Sequence, residues 1–385
     1  MGYWYWRQLK NGWAVDENTT NKFDLPETGY VSGLAIQLYN TNETTLSSYP
    51  RPYPIQRVTK LRIVGNGNFE IVNCEARHLQ AMNFWDFDSP VEGQYSQIDT
   101  HFQRNFWYVP FGRYLRDPKY GLILEKFAAG VEFEETNDVS TTYYTDGATK
   151  YNIFALMRKN PEAGLFSGGY LKKRQIINKD TASESQYAVK LPTQAKLKQI
   201  HIFSEPDLSS YVDATSPTTN VQYIWLGVKS REEYILNNVR SIDWANHIHL
   251  LRGKLAETHV MANTAESGGL SYVDTMIYRR FNTVVCGINV SSADRTAIAD
   301  FNSDRRICKV WGFSGGTAAA IDVQAYNTGI MLHGDIPLLD IDPLSDETEW
   351  FDAKANADVY VEVTEGASTG NWYIVLDELE KSYGD

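Results

Sequence analysis

The chain has 385 residues, 43% apolar and 22% charged, which excludes wholesale disorder, a collagen-like chain and a coiled coil, and it is too long for one ordinary domain. A net charge of −12, from 36 basic and 48 acidic residues, argues against binding nucleic acid through its phosphates, and no run reaches the ~18 apolar residues of a membrane-spanning helix. Three cysteines are too few for a disulfide scaffold, while 24 Tyr, 16 Phe and 10 Trp, with abundant Asn, Thr and Ser, lean the composition toward β-structure with long loops.

The first residues, Met1 to Asn21, hold no basic stretch followed by an apolar core, so no signal peptide is read there. Gly2 does not make a myristoylation site, because Trp6 stands where Ser or Thr is wanted. Tyr3, Trp4, Tyr5, Trp6 and Trp13 are expected to pack under the first barrel, the other use of such a cluster being an interface with protein or membrane headgroups. Without secretion, the sequons at Asn18, Asn42 and Asn289 carry no weight.

Strands are predicted in the first half at Tyr30–Leu38, Val58–Val64, Phe69–Asn73, Arg104–Val109, Gly121–Phe127, Val131–Glu135, Lys150–Met157 and Tyr187–Leu191. Gly65-Asn66-Gly67-Asn68 separates two of them as a hairpin turn. The second half offers Ala195–Phe203, Val221–Val228, Tyr272–Tyr278, Thr283–Val290, Arg306–Phe313, Ala319–Ala325, Asp358–Val363 and Asn371–Leu376. Eight or so short strands per half is the density of sandwiches and barrels. Long polar stretches at 134–149, 178–186, 204–220 and 340–357 are longer than connectors need, which points to contacts.

Three helices are predicted. Ser230–Asn246 places Ile235, Val239 and Ile242 on one face behind a Ser230/Glu233 capping box. Asn73–Phe84 spaces Cys74, His78 and Met82 by four, and Ser292–Asn302 opens on an N-cap serine. The first two occupy matching places. Leu61-Arg62-Ile63-Val64, a turn, Phe69–Asn73 and a helix with Arg77 and Leu79 parallel Ile224-Trp225-Leu226-Gly227, a charged turn, Tyr234–Asn237 and a helix with Arg240 and Ile242. A pattern recurring at nearly half the chain length reads as two similar β-domains.

Candidate chemistry is thin. Gly312-Phe313-Ser314-Gly315-Gly316 matches the nucleophile-elbow pattern, but the single later histidine, His333, follows too closely for the strand and acid that a hydrolase places between them. The passage reads as a Gly-Gly turn between strands. His247 and His249 resemble the histidine pair of metal-binding cupins, with Glu257 and His259 downstream, yet the glutamate comes late and the preceding glycine is absent. They read as surface or inter-strand histidines. Asp340, Asp342, Asp346, Glu347, Glu349 and Asp352 lack the turn glycine of a calcium loop and read as a solvated acidic loop. Cys74, on a helix face, and Cys286, in a strand, read as core positions. No catalytic, cofactor-binding or metal residue is expected.

On the two strand–turn–strand–helix passages, Val58–Phe84 and Val221–Asn246, and on its length, the chain resembles the double jelly-roll major capsid proteins of tailless icosahedral double-stranded DNA viruses, the lineage of adenovirus hexon and of membrane-containing phages and archaeal viruses. The resemblance covers roughly residues 25–380 and has no diagnostic motif. It implies an all-β chain of two eight-stranded jelly-roll barrels in tandem, with a few short helices in loops. Residues 1–24 would be an aromatic-rich N-terminal segment lying inside, 25–192 the first jelly roll and 193–385 the second. It further implies a homotrimer of pseudo-hexagonal outline, a capsid lattice, penton or minor capsid proteins as partners, and a place in the virion after synthesis in a host cytoplasm. Residues 1–21 contain only Arg7 and Lys10 as basic groups, so no genome-binding arm is present, which agrees with a shell separated from its genome by a membrane. Two other classes compete: a carbohydrate-binding or carbohydrate-active β-sandwich, in which Trp and Tyr stack on sugars, and a trimeric phage receptor-binding protein.

Overall fold

The computed structural model describes residues 2–43, 54–87, 93–96, 100, 102–138, 144–181, 186–192, 194–206, 220–252, 256–263, 272–279, 301–303, 306–312, 322–329, 334–366 and 370–383. The first half runs β1 (Tyr3–Ala14), β2 (Thr20–Asp24), β3 (Tyr30–Thr41), β4 (Lys60–Gly65), β5 (Phe69–Cys74), helix α1 (Ala76–Asp86), β6 (Gly93–Ser96), β7 (Phe102–Pro110), β8 (Leu122–Ile123), β9 (Val131–Thr136) and β10 (Lys150–Lys159). The second runs β11 (Tyr170–Asp180), β12 (Gln186–Lys190), β13 (Lys196–Pro206), β14 (Val221–Val228), β15 (Glu233–Arg240) and helix α2 (Ser241–Arg252). It continues with β16 (Ala256–Asn263), β17 (Tyr272–Arg279), β18 (Phe301–Ser303), β19 (Arg306–Gly312), β20 (Asp322–Gly329), β21 (Asp335–Pro337), β22 (Phe351–Asp352), β23 (Tyr360–Glu365) and β24 (Gly370–Glu380).

Pairing sorts sixteen of these strands into four four-stranded groups. The first half forms β1-β10-β3-β7 facing β2-β9-β4-β5, and the second forms β11-β24-β13-β21 and β12-β23-β14-β15. Position for position the two orders are the same, each the interleaved order of a jelly roll. The fold is therefore two eight-stranded jelly rolls in tandem, as expected. Even the small strands correspond: β8 pairs with the start of β3, and β22 with the start of β13. Beyond β7, the first group continues through β6 into the hairpins β17-β16-β20-β19-β18.

The alternation of each strand builds the cores. In the first barrel Leu34, Ile36, Trp107, Val109, Ile63 and Phe133 point inward, and in the second Ile200, Ile202, Ile224, Leu226, Val361 and Val363 do. Each such side chain contributes about 1.5–3 kcal/mol by leaving water. β24 serves both cores: Trp372, Ile374 and Leu376 join the second, whereas Tyr373 and Val375, on its opposite face, join the first. The barrels are welded edge to edge, because β5 pairs in parallel with β11, Lys173 opposite Val72 and Arg174 opposite Asn73.

Several expectations are corrected. Residues 233–240 form strand β15, not the first half of a helix. Lys229, Ser230 and Arg231 all take positive φ, and the Ser230 hydroxyl bonds the Asp358 carboxylate, so no capping box forms. The helix starts instead at Ser241. Residues 121–127 hold only the two-residue β8 followed by a 3-10 turn. Cys74 closes β5 and does not lie on α1. Phe301 and Asn302 are in strand β18, while 292–300 and the strand expected at Thr283–Val290, with Cys286, lie outside the described residues. Strand pairing joins β1 and β2 to β10 and β9, and β11 and β12 to β24 and β23.

Candidate functional site

Where the barrels meet, α1 lies between β7 and the sheet of β13 and β24. Ten of its eleven residues are buried. Its polar side chains have specific work there: Gln80 donates to the Phe106 carbonyl at 3.0 Å, and the Asn83 side-chain oxygen accepts from the Tyr108 amide at 2.6 Å, supplying hydrogen-bond partners to the backbone of β7. On its other face the His78 ring stacks on Phe203 at 4.1 Å and meets Tyr373 edge-on at 4.8 Å.

A buried ionic seam runs along this junction. Lys198 Nζ lies 2.7 Å from Asp86 at the end of α1 and 3.4 Å from Asp377 on β24. Lys173 on β11 reaches the same Asp377 at 3.4 Å and donates to the Pro110 carbonyl at 3.0 Å. Arg77 pairs with Glu75 and Glu205 and donates to the Tyr373 hydroxyl at 3.1 Å. His201 sits 2.9 Å from Asp335. Burial pushes Asp86 upward, but the Lys198 ammonium outweighs it and holds the carboxyl below its ordinary range. Burial likewise depresses Lys198, yet Asp86 and Asp377 hold it above the usual lysine value. Burial raises Asp335, only partly offset by His201. These groups answer one another, and their chemical role is to fix one barrel against the other.

The sites weighed from the sequence fall elsewhere. His247 and His249 lie on helix α2, where an i, i+2 pair diverges instead of sharing a face as on a strand; His247 stacks on Trp244 at 5.0 Å. Glu257 and His259 are on β16. Ser314, the rest of its Gly-x-Ser-x-Gly turn past Gly312, and His333 lie outside the described residues. The acidic loop turns its carboxylates onto its own backbone: Asp342 accepts from the Leu344 amide at 2.8 Å, Asp346 from the Thr348 hydroxyl and amide, and Asp352 from the Ala355 amide at 2.9 Å. The Thr348 bonds hold Asp346 below its usual range. Among the described residues no three His, Cys, Asp or Glu side chains are grouped to hold a metal ion.

The sequence reading missed the free edges. Among the described strands, β1 pairs only with β10, and β15 only with β14. Tyr3 and Trp6 on β1, Tyr234 and Ile235 on β15, and Leu250 and Leu251 on α2 are exposed, six of the eight large apolar side chains exposed among the described residues. The N-terminal aromatics thus divide: Trp13 packs with Phe23, Phe133 and Tyr151, and Trp4 against Phe166, while Tyr3 and Trp6 face out.

With this geometry in hand, the comparisons place the fold. No protein-family model and no curated protein matches the chain. Solved structures do. The chain is similar to the STIV MCP, with 9% identity, a TM-score of 0.51 and 98% of each chain covered. It is also similar to a chain of the atomic structure of Sulfolobus Turreted Icosahedral Virus, with 9% identity, a TM-score of 0.52, and 99% of this chain and 92% of that one covered. The Faustovirus major capsid protein gives 7% identity, a TM-score of 0.50, and 98% and 90% coverage. At such identity the likeness is one of fold: the chain has the double jelly-roll architecture.

Proposed function

We propose that this protein is a major capsid protein, assembling as a homotrimer of pseudo-hexagonal outline into an icosahedral shell and acting in the virion without catalysis. The observation that carries the reading is the doubled order β1-β10-β3-β7 with β2-β9-β4-β5 and β11-β24-β13-β21 with β12-β23-β14-β15, in a chain whose whole length superposes on capsid proteins. We place the first unit at residues 3–159 and the second at 170–380, following the pairing. Three copies give six similar barrels around one axis, and closed cyclic symmetry satisfies every contact surface. The net charge of −12, with only Arg7 and Lys10 as basic residues within 1–21, suits a shell that does not touch its genome directly, with an internal membrane beneath it and penton or minor capsid proteins as further partners.

Size-exclusion chromatography with light scattering tests this directly. The expected result is a particle of three chain masses, seen by electron microscopy as compact hexagonal capsomers. A monomer at all concentrations that binds soluble glycans would instead make it a carbohydrate-binding sandwich. A slender trimeric spike would make it a receptor-binding protein.

A further inference from the structure

We propose that the parallel join between β5 and β11 inside the chain is repeated between chains: β15 of one copy pairs in parallel with β1 of a second copy, and α2 packs on the sheet to which that β1 belongs. The inference rests on the assembly reading above and names the surfaces that perform it.

The strand pairing aligns the first residues of β1 with those of β11. Tyr3 stands opposite Lys159 as Tyr170 stands opposite Glu380, and both strands slip register at the same place, after Gln8 and after Gln175. The sequence agrees, since Tyr3, Arg7 and Gln8 are matched by Tyr170, Arg174 and Gln175. β1 is therefore the counterpart of β11. By the same logic Leu61 opposite Cys74 and Ile63 opposite Val72 correspond to Ile224 opposite Val239 and Leu226 opposite Leu236, so β15 is the counterpart of β5. Inside the chain the β5 edge is filled by β11. The β15 edge and the β1 edge are the same two surfaces with no described strand between them.

Exposure follows this equivalence. Tyr170 is fully buried, whereas Tyr3 is 58% exposed. Lys173 is buried at the join, and its counterpart Trp6 is 45% exposed. On the helices, counted from their first residues, Trp85 and Asp86 of α1 lie at the junction, and their counterparts Leu250 and Leu251 on α2 are 76% and 53% exposed. The sheet that α1 covers presents His201 and Val375, which are paired with each other. Their counterparts, Ala35 and Phe154, are paired in the same way on the β1 sheet and are half-buried, an apolar landing for Leu250 and Leu251. A single rule accounts for six of the eight exposed large apolar groups: each lies on the element that would be covered if the internal join recurred. An exposed strand edge with apolar side chains invites strand addition, and a head-to-tail contact of two unlike surfaces closes into a ring when its rotation permits.

The register sets the test. Lys173 and Arg174 oppose Val72 and Asn73, so Trp6 and Arg7 oppose Leu236 and Asn237 of the neighbour. Asn237 and Asn238 occupy the place of Asn73, the second hairpin carrying one more residue, and Asn238 takes the positive φ that admits it. Arg7→Cys with Asn237→Cys, both at exposed positions, is prepared from a mixture of ordinary and 15N-labelled chains and oxidised with copper–phenanthroline. The expected result is a disulfide between residues 7 and 237 of different chains, seen by mass spectrometry as mixed-label peptides, and a gel ladder that stops at three chains. Asn73→Cys with Arg174→Cys is the internal control for the same spacing. Separately, Leu250→Asp with Leu251→Asp, on exposed sites, is expected to keep the folded circular dichroism spectrum and to scatter light as a monomer. A trimer with the control bond but without the 7–237 bond overturns the pairing and leaves the assembly reading standing. Retention of the trimer by the aspartate variant together with loss of binding to anionic lipid vesicles gives this face to a membrane and overturns the docking. A wild-type monomer at every concentration overturns the assembly reading itself.

Discussion

Glu135 shows what burial does to a single residue. Its carboxylate accepts from the Tyr151 hydroxyl at 2.8 Å and from the side-chain amides of Asn21 and Asn137 at 3.2 and 3.3 Å, tying β9 to β10 and to β2. Burial outweighs these bonds and pushes its pKa from about 4.5 up to about 7. A carboxyl raised on folding binds its proton more tightly in the native state, so the stability it gives is present at low pH and is lost as pH rises from about 4.5 to about 7. The shift corresponds to about 3 kcal/mol. Glu135→Gln, whose amide keeps one acceptor for the asparagines and can donate to the Tyr151 oxygen, is expected to remove that part of the slope: the wild-type-minus-variant difference in urea stability should change by about this much between pH 4 and pH 8. An unchanged difference across that range would mean that Glu135 titrates normally. Nothing in a linear reading announces this residue, because Glu132, Glu134 and Glu135 look alike until the sheet decides which faces inward. Glu134, paired with Lys22 and Arg62, goes the other way: burial raises it, but the bonds to these cations bring it down to about 2.

Elements with clean alternation and turn chemistry are the ones the sequence declares. β14 has the expected limits, and β4, β5 and α1 follow the expected order around the Asn66-Gly67 turn. The turn glycines can be ranked by their surroundings. Gly67 has φ +77 with nothing within 4 Å of an added Cβ, so Gly67→Ala is expected to cost only the ~1 kcal/mol of left-handed backbone. Gly169, at φ +96 where the chain enters β11, would place a Cβ 2.2 Å from the Glu380 carbonyl oxygen. Gly169→Ala must move β24 off β11, and its urea midpoint should fall well below that of Gly67→Ala; equal midpoints would refute the close approach. The elements that escaped reading are informative too. β11 carries Lys172, Lys173 and Arg174 and reads as polar, because the acids that accompany two of these cations, Asp377 and Glu378, lie two hundred residues away. β15 looked helical because Ile235, Val239 and Ile242 happen to fall at helical spacing, whereas its two consecutive asparagines and its bulge belong to a strand edge.

At the scale of the whole molecule, the seam decides how two barrels become one body. Lys198 stands between Asp86 of the first barrel and Asp377 of the second. Lys198→Met would leave these carboxylates facing each other in a buried place and is expected to lower stability by about 3–5 kcal/mol, measured from the urea midpoint at pH 7. Adding Asp86→Asn should restore part of the loss, since Asp377 still has Lys173. A loss under 1 kcal/mol would show the seam to be electrostatically idle. The doubling of the fold was legible from the recurring strand–turn–strand–helix passage. The seam was not, since its members are drawn from α1 and the residue before it, β11, β13, β21 and β24, and nothing local marks them.

The position of β24 between β11 and β13 has a temporal consequence. Its partners at 170–180 and 196–206 leave the ribosome long before residues 370–380 do. Until then Asp377 is missing, both cores lack a wall, and the edges of β11 and β13 stand open as templates for strands of other chains. The order of synthesis thus imposes a checkpoint: the two barrels of a nascent chain cannot take their final orientation until β24 has been inserted between β11 and β13.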